Sequence, residues 1–509
     1  MVILDERVAG YFALGIAQQT RQTVAIVCTS GTALLNLAPA VCEAFYQKIP
    51  LLLLTADRPP EAIGLGENQA IDQREIYQNY IKESRNIDAD NTAPQLIATV
   101  VSDAIALTRT NGAGPVHLNL HLREPLYNMV EASNEVLDLP TPLPQKNHEA
   151  VLSLQQKNMV IVGLLQGNEK LNTKLQELAK RNDTIVITET TSNQHGEGFI
   201  NNVDSLLAVM QDGSAYAPGY IVTIGGQIVS KKLKEYLKQY PATEHVHISE
   251  AGDAWNSLGA KSFTAVQAEV DNFTWVDVES TSSYKARWQA LQAKTNELAQ
   301  QYLAALPFCD LKVHELLANS FPQGANVQYG NSTPIRYSNL FKLREDITVN
   351  SNRGTSGIDG CVSTATGAAY ANAKPTVLVV GDISFLYDSN ALWNNYLSPH
   401  LRIVIINNSG GNIFRVLDGP TKVQGFETFF ETKHNHTAKH LASMYGIPYY
   451  FCDNQEDLER ELKTFWASDF DGIRTHDPCT KILEVKTNNE VSALKYKGYF
   501  EFLRNNNQS

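Results

Sequence analysis

The sequence predicts an α/β protein of three domains, each built on a mainly parallel sheet covered by helices. Short runs of β-branched and aliphatic residues alternate with helical stretches along the chain, the pattern of parallel strands with helices on both faces. At 509 residues there is chain enough for about three domains of roughly 150 residues each. A hydrophobic share of 43% with 19% charged residues lets each domain bury an ordinary core.

The first domain is expected over residues 1–140. Residues 23–28 read as a buried strand, Thr29-Ser30-Gly31-Thr32 as the turn after it, and 33–47 as a helix. The run 50–55 is the next strand, ended by Ala56-Asp57-Arg58-Pro59-Pro60, because proline cannot donate to a ladder. A further strand lies at 115–120, and the segment 139–148, rich in proline and polar residues, reads as a linker. The second domain, 150–295, carries strands at 159–165, 184–188, 220–224 and 245–249. A long helix at 284–306 leads into the third, 305–509, with strands at 327–330, 376–380, 402–406 and 481–485.

Charge and cysteine usage narrow the function classes. A net charge of −12 argues against a nucleic-acid footprint, which needs clustered Lys and Arg. It leaves room for small anionic substrates in local arginine pockets. The six cysteines (Cys28, Cys42, Cys309, Cys361, Cys452, Cys479) form no C-x-x-C pair and point to a reduced, cytoplasmic setting. No apolar run approaches the ~18 residues that span a bilayer, so no membrane partner is expected. The opening Met-Val-Ile-Leu-Asp-Glu-Arg lacks the order of a signal peptide.

The strongest chemical signal follows two consecutive strands of the third domain. Gly381-Asp382-Ile383-Ser384 comes after the first, and Asn407-Asn408-Ser409-Gly410-Gly411 after the second. Ligands of parallel sheets gather at the carboxyl ends of strands, so these loops can face one crevice. Asp382 offers a carboxylate, Asn408 an amide oxygen and Gly410 a backbone carbonyl, a hard oxygen set suited to magnesium, with manganese as the alternative. The glycines let backbone approach a diphosphate. Either segment alone also reads as turn punctuation after a strand.

This pairing resembles the diphosphate motif of thiamine-diphosphate enzymes. Further strings sharpen the resemblance: Asp5-Glu6-Arg7, Thr29-Ser30-Gly31-Thr32, Thr55-Ala56-Asp57-Arg58-Pro59-Pro60, Asn68-Gln69-Ala70-Ile71, Gly330-Asn331-Ser332 and Asn352-Arg353-Gly354-Thr355-Ser356-Gly357-Ile358-Asp359-Gly360. Together they are similar to the 2-succinyl-5-enolpyruvyl-6-hydroxy-3-cyclohexene-1-carboxylate synthases (the MenD type) of menaquinone biosynthesis.

That resemblance implies a transferase that decarboxylates 2-oxoglutarate on thiamine diphosphate and adds the succinyl unit to isochorismate, with no redox change. It implies that Glu6 is catalytic, hydrogen-bonding the aminopyrimidine ring of a cofactor held by a neighbouring subunit. It also implies a homodimer, or a tetramer of two such dimers, with active sites between subunits. Thr29, Ser30, Gly31, Gly381, Asp382, Ser384, Asn408 and Phe414 would line the cofactor, and Ile358 would wedge between its rings. Ser332, Arg336 and Arg353 match positions around the 2-oxoglutarate-derived unit, as arginine's planar fork suits carboxylates. Arg58, Gln69 and Lys231 match positions around isochorismate, with Lys232 leaving the lysine register open. Phe414 and Leu417, the latter on the substrate side, either line this pocket or simply begin a helix.

Two departures stand out. The family carries several dozen residues before Asp-Glu-Arg, so the first domain is expected to be N-terminally truncated, with an unpaired sheet edge or uncovered apolar surface. The segment Asp471-Gly472-Ile473-Arg474-Thr475-His476-Asp477-Pro478-Cys479 interrupts the approach to the last strand and reads as a loop without chemistry. Two other readings stay open: another thiamine-diphosphate 2-oxoacid decarboxylase or carboligase, and an inactive homologue acting as a binding subunit.

Overall fold

The structure, a computed structural model, describes residues 1–124, 126, 148–253, 256–417, 419–467 and 479–508. Residues 139–147 of the expected linker and 471–478 of the expected loop lie outside them. The chain falls into two compact units, Met1–Lys146 with Asn352–Ala373 and Asn390–Leu397, and Asn147–Ser351 with Lys374–Ser389 and Ser398–Ser509.

The first unit opens with helix α1 (Glu6–Thr20), capped by Asp5, whose carboxylate accepts the N–H groups of Arg7 and Val8 at 3.0 and 3.2 Å. Strand β1 (Val24–Cys28), α2 (Ala33–Gln47), β2 (Leu51–Asp57), β3 (Glu83–Asp88), α3 (Pro94–Leu107) and β4 (Val116–His121) follow. They make a parallel sheet in the order β1-β2-β4-β3. On α2 the buried Leu34, Leu37, Val41 and Ala44 recur at helical spacing and face this sheet's core. The helix Cys361–Ala371 lies against α1 through small residues. A Cβ on Gly15 would collide with the Thr364 carbonyl, and one on Gly367 with the Phe12 carbonyl, so two glycines set this close approach. Strand β1, expected to be buried, is instead an edge that fully buries only Ile26 and leaves Val27 exposed.

The second unit runs through β5 (Ala150–Ser153), β6 (Asn158–Val162), β7 (Thr184–Thr188), β8 (Tyr220–Ile224), β9 (Glu244–Ser249), β10 (Ser262–Gln267) and β11 (Phe273–Val276). It continues with β12 (Asn326–Tyr329), β13 (Thr348–Asn350), β14 (Thr376–Gly381), β15 (Leu401–Asn407), β16 (Tyr449–Cys452) and β17 (Lys481–Lys486). One parallel sheet has the order β10-β9-β8-β6-β7, another β13-β12-β14-β15-β17-β16, and β5 pairs with β11. Strands β6, β7, β8 and β15 are buried along their full length, as parallel strands covered on both faces should be. Their apolar runs are why they read clearly. The helix Tyr284–Ala304 places fully buried Trp288 edge-on to Tyr216 and Tyr284.

Two expected boundaries need correction. The strand expected at 159–165 ends at Val162, because Gly163 and Leu164 donate to the carbonyls of Ile224 and Gln227 at and after the end of β8, and Leu165 to that of Thr191 in another segment. The strand expected at 50–55 runs on to Asp57, held by β4, so the break falls at Arg58. Among the described residues no helix is long and apolar enough to cross a membrane.

Candidate functional site

In the second unit β14 and β15 are neighbours, so the loops at their carboxyl ends lie side by side. Asp382, buried, opens the short helix Asp382–Tyr387, with buried Ser384 on the same turn. One Asp382 oxygen accepts the Ile383 N–H at 2.7 Å and the other the Gly410 N–H at 3.0 Å, which ties the two loops together. Gly410 has φ +154, and a Cβ there would sit 2.6 Å from the Glu431 carbonyl oxygen, so only glycine fits. Its own carbonyl accepts the Asn412 N–H at 3.0 Å and keeps a second lone pair.

The adjacent asparagines differ. Asn407 is satisfied at both ends: its amide N–H groups reach Glu484 and the His436 carbonyl, and its oxygen accepts from Lys486 and Ser409. Asn408 donates to Asp310 at 2.8 Å, and its buried Oδ1 has no hydrogen-bond partner. A buried polar atom without a partner costs about 1–3 kcal/mol, so this oxygen is open to a ligand. Asp382, Asn408 Oδ1 and the Gly410 carbonyl therefore fit a hard divalent cation beside a diphosphate. Among the described residues no three His, Cys, Asp or Glu converge as a metal cluster, so this mixed oxygen set stands as the candidate.

Phe414 is half-buried on the one-turn helix Ile413–Val416, its ring 5.9 Å from Phe430, and Leu417 ends that helix. His434, which belongs to no motif, brings Nε2 to 3.3 Å from the Asp382 carboxylate.

In the first unit Glu6 is half-buried at the start of α1. Burial, together with the charge of Glu6, pushes the Cys28 thiol at the end of β1, just before the next turn, up to about 11. In that turn Thr29 is exposed, Ser30 and Gly31 are buried, and the Gly31 N–H donates to Gln73 at 2.9 Å. A Cβ on Gly31 would lie 3.2 Å from Gln69 Cα, so the structure brings Gln69 to the turn. Gln73 also donates to the Ala56 carbonyl and to Asn119, fastening the turn to the ends of β2 and β4. Arg58 leaves β2 with its N–H on Asp57 at 2.8 Å and its guanidinium on the Asn68 carbonyl at 3.2 Å. Arg58 and Gln69 thus share one loop. Arg353 is buried and Ile358 half-buried, on a segment whose Gly354 and Thr355 N–H groups are held by Glu43.

The other substrate candidates belong to the second unit. Ser332 adopts φ +77, a strained value for a residue with a Cβ, and the Arg336 guanidinium donates to its carbonyl. Burial lowers the pKa of Arg336. Lys231 starts the helix Lys231–Gln239, 73% exposed and 3.4 Å from Glu235. Its neighbour Lys232 points inward, 2.9 Å from the centre of the Phe500 ring, with burial pushing its pKa down to about 8. Glu189 accepts the N–H groups of Val229 and Ser230 at 2.6 Å each, which anchors the turn before Lys231.

Three family models match the chain in order. They are the thiamine pyrophosphate enzyme N-terminal TPP binding domain over residues 1–76, the middle domain of thiamine pyrophosphate over 135–327, and the C-terminal TPP binding domain over 331–472. The 2-succinyl-5-enolpyruvyl-6-hydroxy-3-cyclohexene-1-carboxylate synthase of Flavobacterium psychrophilum is 38% identical over 98% of this chain and 91% of its own length.

The chain belongs to that synthase family.

The synthases of Flavobacterium johnsoniae and Porphyromonas gingivalis are 39% and 34% identical, over 98% and 99% of this chain. Members of this synthase family are thiamine-pyrophosphate transferases, and the three-part α/β architecture expected from the sequence is theirs. Four of the synthase motifs follow the ends of β1, β2, β14 and β15, where parallel sheets collect ligands.

Proposed function

We propose that this chain is a 2-succinyl-5-enolpyruvyl-6-hydroxy-3-cyclohexene-1-carboxylate synthase, taking 2-oxoglutarate and isochorismate as substrates. The observation that carries the reading is the unpartnered Oδ1 of Asn408 beside the Asp382–Gly410 tie. Thiamine diphosphate, when bound, supplies the electron sink for loss of carbon dioxide from a 2-oxoacid and for the following carbon–carbon bond.

The residues supply binding, orientation and proton handling. Asp382, Asn408 and the Gly410 carbonyl hold magnesium or manganese, and Gly381 and Ser384 border the diphosphate. Glu6 holds a proton at the aminopyrimidine ring, with Thr29, Ser30 and Gly31 along that ring's edge and Ile358 and Phe414 as apolar walls. Ser332, Arg336 and Arg353 bind the carboxylates of 2-oxoglutarate. Arg58, Gln69 and Lys231 bind isochorismate, with Leu417 closing its apolar side. We assign the pyrimidine-binding, central and diphosphate-binding domains to 1–140, 150–295 and 305–509, in keeping with the order of the family matches. We further propose a homodimer or homotetramer with shared sites, in the cytoplasm, a compartment that suits six free thiols.

Purified chain supplied with thiamine diphosphate, magnesium, 2-oxoglutarate and isochorismate should consume isochorismate and release one carbon dioxide per product. Preference for pyruvate over 2-oxoglutarate would instead make it another 2-oxoacid carboligase.

A further inference from the structure

Asp310 begins the helix Asp310–Ser320 and has no exposed surface. One of its oxygens accepts Thr487 Oγ1 at 2.6 Å and Ser492 Oγ at 3.0 Å. The other accepts Asn408 Nδ2 at 2.8 Å and Asn412 Nδ2 at 3.2 Å. The Asp310 N–H donates back to Ser492 Oγ at 3.0 Å, so the carboxylate is fixed in place. Both asparagines keep a buried Oδ1 without a hydrogen-bond partner.

We infer that Asp310 is a positioning residue that fixes the amide orientation of Asn408 and Asn412, so that their carbonyl oxygens, not their NH2 groups, are turned to the proposed cation site. This inference rests on the proposed cation site. Each oxygen of Asp310 already accepts two side-chain donors, one pair from hydroxyls and the other from the two amides, so it meets each asparagine through its NH2 and turns the amide oxygen away. Each asparagine is thereby locked in the one orientation useful to a cation. A flipped Asn408 would aim two N–H donors at positive charge. Asn407 needs no such device, since Glu484 and Lys486 already hold its two ends. Asp310 itself lies outside the proposed ligand set. It acts through the amides, as partners outside a ligand set do when they orient the ligands.

The test is a Mn2+ titration of the full-length chain with thiamine diphosphate present, following the electron paramagnetic resonance signal of free aqueous Mn2+. The parent chain should take up Mn2+. Asp310→Asn should bind it ~10–100-fold more weakly, the usual effect of removing an orienting partner. Asp310→Ser keeps an acceptor and leaves room for a water, and should fall between the two. Ser205→Ala breaks a buried bond to Tyr499 elsewhere in the same unit and should leave Mn2+ affinity at the parent value. Parent-like affinity in folded Asp310→Asn or Asp310→Ser overturns the inference. Equal weakening in Ser205→Ala overturns it too, because the effect would then be general loosening. No Mn2+ uptake by the parent chain overturns the cation site first, and this inference with it.

Discussion

The carboxylate of Glu43, on α2, accepts the backbone N–H groups of Gly354 and Thr355 at 2.7 Å each and the Thr355 hydroxyl at 2.6 Å. Glu43 is buried, and the segment it holds runs from Arg353 to Ile358. One side chain therefore fixes the backbone that carries a proposed carboxylate-binding arginine and a proposed cofactor wedge. Glu43→Ala leaves these donors without their acceptor, at about 1–3 kcal/mol for each one that stays buried. The expected result is a lower urea midpoint together with a raised KM for 2-oxoglutarate. A stability loss with KM unchanged would make Glu43 purely structural.

Glu6 is tested by two readouts that do not depend on each other. Glu6→Gln keeps the side-chain shape but cannot hold the proton, so product formation should fall ~10²–10⁴-fold while thiamine diphosphate still binds. The same change removes one of the two causes that raise the Cys28 thiol. Alkylation of Cys28 should then begin at lower pH than in the parent, since burial alone remains. An unshifted alkylation profile would separate Glu6 from the end of β1.

The helix Ala33–Gln47 and the strands Thr184–Thr188 and Tyr220–Ile224 are legible to the residue, because each is a single apolar run or face bounded by turn signals. Strand β3 (ESRNID) is not, because it buries only Ile87 fully and so carries no alternation. The edge strands β10, β13 and β16 escape for a similar reason: short or half-exposed strands lack a continuous apolar signal. At the site, Asp382, Asn408 and Gly410 are readable because they follow apolar strands. Glu43, Gln73, Asp310 and His434 are not, since each acts on a partner distant in sequence. A signal does exist for Glu43. It falls three residues after Ala40 and six after Leu37, on the buried face of α2, where a charge needs a partner.

Gly410 tests the cation site through the backbone alone. Gly410→Ala must relieve a φ of +154 and the approach to the Glu431 carbonyl, so the loop shifts and its N–H leaves Asp382. Magnesium-dependent binding of thiamine diphosphate, measured calorimetrically, should weaken by at least ~10-fold. The overall fold should persist, because the change sits in a loop at the end of β15. Unchanged binding would remove the Gly410 carbonyl from the proposed ligand set.

Glu189 gives a prediction in pH. Burial pushes its carboxyl from 4.5 up to about 7, against the two N–H bonds from Val229 and Ser230, which favour the charged form. Between those values the folded chain keeps a proton that the unfolded chain has released, so stability falls as pH rises. The contribution is complete below 4.5 and gone once pH passes about 7. Its ceiling is about 3 kcal/mol, since each tenfold gain in proton affinity on folding is worth about 1.36 kcal/mol. Glu189→Gln cannot titrate and should lose this slope. The melting temperature of the parent should drop relative to that of the variant between about pH 5 and about pH 8. A parent–variant difference that stays constant with pH would show that Glu189 is ionised throughout, with the two N–H bonds outweighing its burial.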